Sequence, residues 1–96
     1  MSFEIRFSPQ AEETFEAVII QLEQRWGDKY VSDFKNKVYK SLDIIVTNPF
    51  IYPVAPENSE LRKCVIHKNT SVYYSIKDEF VEIHYFWDNR QEPLSF

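Results

Sequence analysis

Glycine is almost missing from this chain: Gly27 is the only one in 96 residues. A phosphate-cradling loop needs several glycines to let the backbone approach its ligand, so that class of nucleotide site is excluded. Cysteine is equally scarce. Cys64 is alone, so no disulfide can form within the chain, and nothing points to an oxidising compartment. One cysteine and two histidines, His67 and His84, cannot build a zinc cluster unless carboxylates join them. A small buried strand residue is the expected role of Cys64. Positive charge is in deficit, with 11 Lys and Arg against 15 Asp and Glu, a formal net charge of −4. Proteins that ride on phosphate backbones usually carry a basic surplus, so nucleic-acid binding by the whole surface is disfavoured, although a local basic patch stays open. No apolar run approaches the roughly 20 residues of a membrane helix. The opening Met1-Ser2-Phe3-Glu4-Ile5-Arg6 lacks the basic-then-apolar order of a secretory signal, so the expected location is the cytoplasm, with no membrane partner.

Aromatic residues are abundant, with eight Phe, six Tyr and two Trp. They supply large burial per residue, which a chain of this size needs because it supports one core. Residues 1–96 are therefore read as a single domain.

Phe3, Ile5 and Phe7 alternate with Glu4 and Arg6, the pattern of a half-buried strand. Ser8-Pro9 then opens a helix: Ser8 caps, Pro9 suits the first helical position, and Glu12 and Glu13 complement the positive end. Ala11, Phe15, Val18, Ile19, Leu22 and Trp26 fall on one stripe, with Glu12, Glu13, Glu16, Gln21 and Glu23 between them as a solvated face. Gly27 is placed to close this helix in a left-handed conformation, and Asp28 to cap the next. In the second helix Val31, Phe34, Val38, Leu42 and Ile45 make the apolar stripe, and Asn48-Pro49 ends it. Two long helices joined by a short turn form an antiparallel hairpin.

Residues 49–60 hold Pro49, Pro53 and Pro56 and read as a stiffened loop, with Ile51 and Tyr52 tucked against the body. The last third reads as three antiparallel strands: Leu61 to His67, Ser71 to Lys77, and, after a tight Asp78-Glu79 turn, Phe80 to Trp87. Val72, Tyr74, Ile76, Val81 and Ile83 are assigned to the helix-covered face, with Tyr85 and Trp87 in the same alternation. Tyr73, Ser75, Glu82, His84 and Phe86 are assigned to the other. So many rings on a second face suggest that it is covered by a partner. The expected fold class is α+β, βααβββ, an antiparallel helix hairpin packed on a small, mostly antiparallel sheet.

No catalytic motif identifies a reaction, and a hydrolytic triad is not suggested by the spacing. A basic cluster remains around the sheet. Arg62 and Lys63 open the second strand, His67 and Lys68 end it, and Arg90 follows the fourth, with Tyr73 and His84 between. As an RNA-cleaving site, these cations would stabilise a pentavalent phosphate while His, Tyr or Lys moved protons. As a binding site they would meet carboxylates flanked by aromatic anchors. As plain surface they would be solvated strand charges, and Arg90, bracketed by Asp88 and Glu92, would make local ion pairs.

Several segments, taken in order, resemble the RelE/ParE superfamily of toxins from bacterial type II toxin–antitoxin systems. They are Phe7-Ser8-Pro9-Gln10-Ala11, Trp26-Gly27, Asn48-Pro49, Leu61-Arg62-Lys63, Val72-Tyr73-Tyr74-Ser75-Ile76 and Phe86-Trp87-Asp88-Asn89-Arg90-Gln91-Glu92-Pro93. The resemblance implies a cytoplasmic toxin of the plasmid-stabilisation type that arrests growth. It implies no cofactor and no metal, and an antitoxin encoded alongside whose disordered C-terminal segment folds across the toxin. An oligomeric complex with that antitoxin is expected. Two activities divide the family. RelE-like members cut messenger RNA in the ribosome; ParE-like members inhibit DNA gyrase and are not nucleases. For the nuclease reading the candidates are Arg62, Lys63, His84 and Arg90. For partner binding they are Arg62, Lys63, His67, Lys68, Tyr73, His84, Phe86 and Arg90. The third-strand arginine of the nucleases falls at Ser71, and their C-terminal tyrosine at Phe96, which has no hydroxyl to move a proton. With the acidic total, this turns the reading towards the ParE-like side and away from an enzyme. A degenerate member that binds its antitoxin without toxicity is the third reading.

Overall fold

The computed structural model describes residues 3–67 and 70–88. The chain runs β1 (Glu4–Phe7), α1 (Pro9–Trp26), α2 (Asp28–Thr47), β2 (Val54–Ala55), β3 (Asn58–His67), β4 (Thr70–Ile76) and β5 (Phe80–Asp88). The strands form one sheet in the order β1-β5-β4-β3-β2. All neighbours are antiparallel except β1, which lies parallel to β5 with Ile5 opposite Val81 and Phe7 opposite Ile83. The helix hairpin covers one face. Val18, Leu22, Phe34, Val38 and Ile45 meet Cys64, Val72, Tyr74, Val81, Ile83 and Phe86 there in the main core. This is the expected α+β architecture, extended by the short edge strand β2, which the proline-rich loop concealed. No helix among the described residues is long and apolar enough to cross a membrane.

Both helix ends follow from local chemistry. The Ser8 side chain accepts from the Ala11 N–H at 3.0 Å and Pro9 takes the first helical position. Gly27 closes α1 with its N–H bonded to Glu23 and adopts φ 86°, ψ −178°. That is positive φ, as expected, but in an extended region that side chains avoid, not the left-handed helical well. Gly27 also occupies the cap position of α2, which therefore has no side-chain cap bond, and Asp28 is the first helical residue instead of the cap. Trp26 leaves the expected apolar stripe: it is 55% exposed and stacks on Tyr30 at 5.6 Å between ring centres. In the loop after α2, Pro49 is buried, where it accepts a 2.8 Å bond from the Tyr74 hydroxyl. Tyr52 packs on the core and Ile51 stays exposed.

One irregularity decides which side chains face away from the helices. Tyr73 pairs with Tyr85 but Tyr74 pairs with Ile83, so His84 is an extra residue in β5. Such a bulge reverses the alternation beyond it. Phe86, expected on the open face, is therefore turned inward. It is buried against Phe15, with ring centres 5.1 Å apart, and near Phe7 at 6.1 Å. Tyr85 and Trp87, expected on the helix side, join a second cluster with Ala55, Leu61 and Tyr73. Backbone groups that a bulge releases from the ladder must find other partners. Helix α1 provides them: the Ser8 hydroxyl donates to the His84 carbonyl at 2.8 Å, and the Phe86 N–H donates to the Thr14 hydroxyl at 2.9 Å.

Candidate functional site

The sheet face turned away from the helices carries the side chains with chemical potential, and the register separates the expected basic cluster into unconnected pieces. Arg62 pairs with Tyr74 and Lys63 with Tyr73, so these neighbours point to opposite faces. Arg62 is occupied by the backbone. Its Nη1 donates to the Tyr52 carbonyl at 2.6 Å and the Phe50 carbonyl at 3.4 Å, and its guanidinium lies 5.2 Å from the Phe50 ring centre. It fastens the proline-containing loop to β3. A groove of about 220 Å³ opens beside it, lined in part by Phe50, Val54, Leu61, Arg62 and Ser75.

Lys63 projects onto the open face with Nζ 5.6 Å from the Tyr73 ring centre and 3.8 Å from Oε2 of Glu57. The Tyr73 hydroxyl donates to the same Oε2 at 2.6 Å. The Tyr73 and Tyr85 rings stack at 4.7 Å. Tyr73 is 3% exposed, and burial, reinforced by the Glu57 acceptor, holds its phenol far above the ordinary tyrosine range. Tyr85 is raised in the same direction, chiefly by burial. The hydrogen bond from Tyr73 draws the Glu57 carboxyl below its usual value, with Lys63 helping. A phenol locked neutral and already donating is a binding group; it is badly matched to exchange protons near neutral pH.

His84 sits at the bulge with Nε2 2.8 Å from Ser75 Oγ and 3.4 Å from Glu82 Oε1. These three residue types suggest a hydrolytic relay, but the geometry excludes one. A relay needs the hydroxyl on one ring nitrogen and the carboxylate on the other, and here both meet Nε2. At the far end of β3, His67 Nε2 is 3.5 Å from the Tyr30 hydroxyl, edge-on to the Tyr30 ring and away from Lys63 in the strand. Ser71 is fully buried opposite Trp87. Cys64 is buried as expected, and burial pushes its thiol up, away from reactive thiolate.

The structure thus brings together Lys63 and Tyr73 and leaves Arg62, His67 and His84 in separate environments. Phe86 belongs to the core. Lys68, Arg90 and the terminal Phe96 lie outside the described residues, as does most of the 88–93 stretch. Among the described residues, no group of three or more His, Cys, Asp or Glu is placed to hold a metal. Sequence reading missed Glu57, an acid directly after Pro56 with no pattern to mark it, and Tyr85, whose face depends on the bulge.

No protein-family model matches the sequence, and no curated protein matches it. Solved structures do. A chain of the chromosomal ParDE TA system from P. aeruginosa superposes with a TM-score of 0.76 at 11% identity, over 91% of this chain and 96% of that one. The E. coli DinJ-YafQ toxin-antitoxin complex gives 0.62 at 13% identity, over 92% and 93%. The YoeB dimer from Staphylococcus aureus gives 0.62 at 17% identity, over 91% and 97%. At these identities the likeness is one of fold. The chain shares the fold of these chains, which is the fold that the resemblance to RelE/ParE toxins led one to expect, and it superposes better on the ParDE chain than on the YafQ or YoeB ones.

Proposed function

We propose that this chain is the toxin of a type II toxin–antitoxin system of the plasmid-stabilisation type. It acts in the cytoplasm, is neutralised by a cognate antitoxin in an oligomeric complex, and inhibits DNA gyrase in the ParE-like manner. The observation that carries the choice of activity is the dispersal of the basic side chains. An RNA-cleaving centre needs cations and a proton-transfer group converging on one phosphate. Among the described residues Arg62 is tied to carbonyls on the helix side. Lys63 faces Glu57, and the Tyr73 phenol is held neutral. The net charge of −4 also opposes docking into ribosomal RNA. The fold likeness to a chain of a ParDE TA system supports the same side.

Expression of the chain alone should arrest bacterial growth, and co-expression of the neighbouring open reading frame should relieve it. The purified chain should block gyrase supercoiling while leaving messenger RNA intact. Codon-positioned mRNA cleavage with supercoiling unaffected would replace this reading with the RelE-like one, and in that case Arg90→Ala should abolish cleavage. Normal growth under strong, soluble expression would leave a protein that only binds its antitoxin.

A further inference from the structure

We propose that Lys63, the Tyr73 hydroxyl and the Tyr85 ring form a carboxylate-binding subsite for an acidic side chain of a protein partner, and that Glu57 of this chain occupies it in the free protein. The inference deepens the partner-binding reading above by naming the side chain recognised, and it rests on that reading only for the existence of a partner.

Glu57 lies in the short turn between Ala55, the end of β2, and Asn58, the start of β3. Its side chain is 54% exposed, so water could solvate it fully. Instead the carboxylate reaches across the sheet face to a phenol that is almost completely buried, at 2.6 Å, with the Lys63 ammonium 3.8 Å away. A buried hydroxyl needs an acceptor, since an unsatisfied one has lost its water and gained nothing in return. The subsite therefore always holds an oxygen acceptor, and an anion suits it best because Lys63 faces the same oxygen. Glu57 is an easily displaced occupant. It is a half-exposed side chain on a surface turn, so it can swing into water when another carboxylate takes over the Tyr73 and Lys63 contacts. A carboxylate from a docking peptide can take its place and keep the Tyr73 bond.

The stacked Tyr73–Tyr85 pair, with Leu61 and Trp87 in the same cluster, gives the apolar surround expected at such an anchor. An acidic peptide is the favoured source of the anion. The group seated there is itself a carboxylate, and the chain's negative total repels a polyphosphate.

The test uses the full chain and a fluorescein-labelled peptide of alternating Glu and Leu, read by fluorescence anisotropy, with labelled oligouridylate as the second probe. Glu57→Ala should tighten peptide binding by about tenfold, the range of one charge-assisted bond. Glu57→Gln, which keeps an acceptor on Tyr73 and controls for folding, should give a smaller gain. The gain should vanish in Glu57→Ala/Lys63→Ala. The proposal is overturned if folded Glu57→Ala shows no gain, if the gain survives loss of Lys63, or if oligouridylate gains instead. Growth arrest is a separate readout. Peptide capture without arrest would keep the subsite and sink the toxin reading; arrest with no gain in Glu57→Ala would do the reverse.

Discussion

Arg62 and Lys63 are adjacent and carry the same charge, yet strand geometry sends them to different tasks. Arg62 bonds two loop carbonyls on the helix side, whereas Lys63 faces Glu57 and Tyr73 on the other. Arg62→Ala should cost about 1–2 kcal/mol, since charge-assisted bonds to carbonyls are lost from a part-buried site. Arg62→Lys should restore it only in part, because an ammonium can reach the carbonyls but forgoes the flat guanidinium contact with the Phe50 ring. Urea midpoints would show both effects, and a midpoint unchanged in Arg62→Ala would contradict the fastening role. Gly27 makes a purely conformational test. A methyl group there would meet nothing within 4 Å, but φ 86° with ψ −178° is nearly closed to other residues. Gly27→Ala should destabilise by about 1–3 kcal/mol through backbone strain alone. Loss of stability without a change of slope in denaturant would place the cost in the native turn.

At the scale of elements, the bulge in β5 and the first turns of α1 depend on each other. Ser8 serves twice, accepting from the Ala11 N–H and donating to the His84 carbonyl. Ser8→Ala should therefore cost more than an ordinary cap, about 2 kcal/mol. Thr14→Val keeps the shape but leaves the Phe86 N–H without its acceptor and should cost about 1–3 kcal/mol. If the two losses simply add in the double variant, the sites act independently; coupling is expected because both hold the same bulge. Phe86→Ala opens a cavity beside Phe15 and Phe7 and should cost about 3–5 kcal/mol. Any loss of partner binding in that variant would reflect unfolding, which a thermal melt would reveal.

For the whole molecule, alkaline pH is the natural probe, because several tyrosines are held neutral by the fold. Burial pushes Tyr52 up to about 12, with Cys64 adding to it, and raises Tyr73 and Tyr74 further. Each such group has a folded pKa above its unfolded value of 10.0. Their stabilisation is then complete below about pH 10 and is lost as pH rises towards the folded values. Unfolding on alkaline titration should begin above pH 10, with the 295 nm signal of ionised tyrosine rising together with loss of circular dichroism. Tyrosines that ionise at their ordinary value while the fold stays intact would refute this account.

The sequence alone determined the order of elements, because that information is local. Ser8-Pro9 and Asn48-Pro49 bound the helices through caps and backbone sterics, and the 3.6-residue stripes and two-residue alternation fix which stretches are helix and strand. The α+β class, the helix hairpin and the burial of Cys64 were legible on that basis; the expected RelE/ParE-like fold came instead from the resemblance of short segments, taken in order, to that family. What only the tertiary structure decided was the facing of side chains past the bulge and the company each charge keeps. Nothing in Ile83-His84-Tyr85-Phe86 marks His84 as the extra residue. The bulge is stable because Ser8 and Thr14, more than 70 positions away, satisfy its backbone. One inserted residue inverted Tyr85, Phe86 and Trp87. The same long-range folding brought Glu57 from the turn after Pro56 onto Tyr73, and the carbonyls of Phe50 and Tyr52 onto Arg62. Contacts of that kind depend on where the chain returns in space, and no local pattern encodes them.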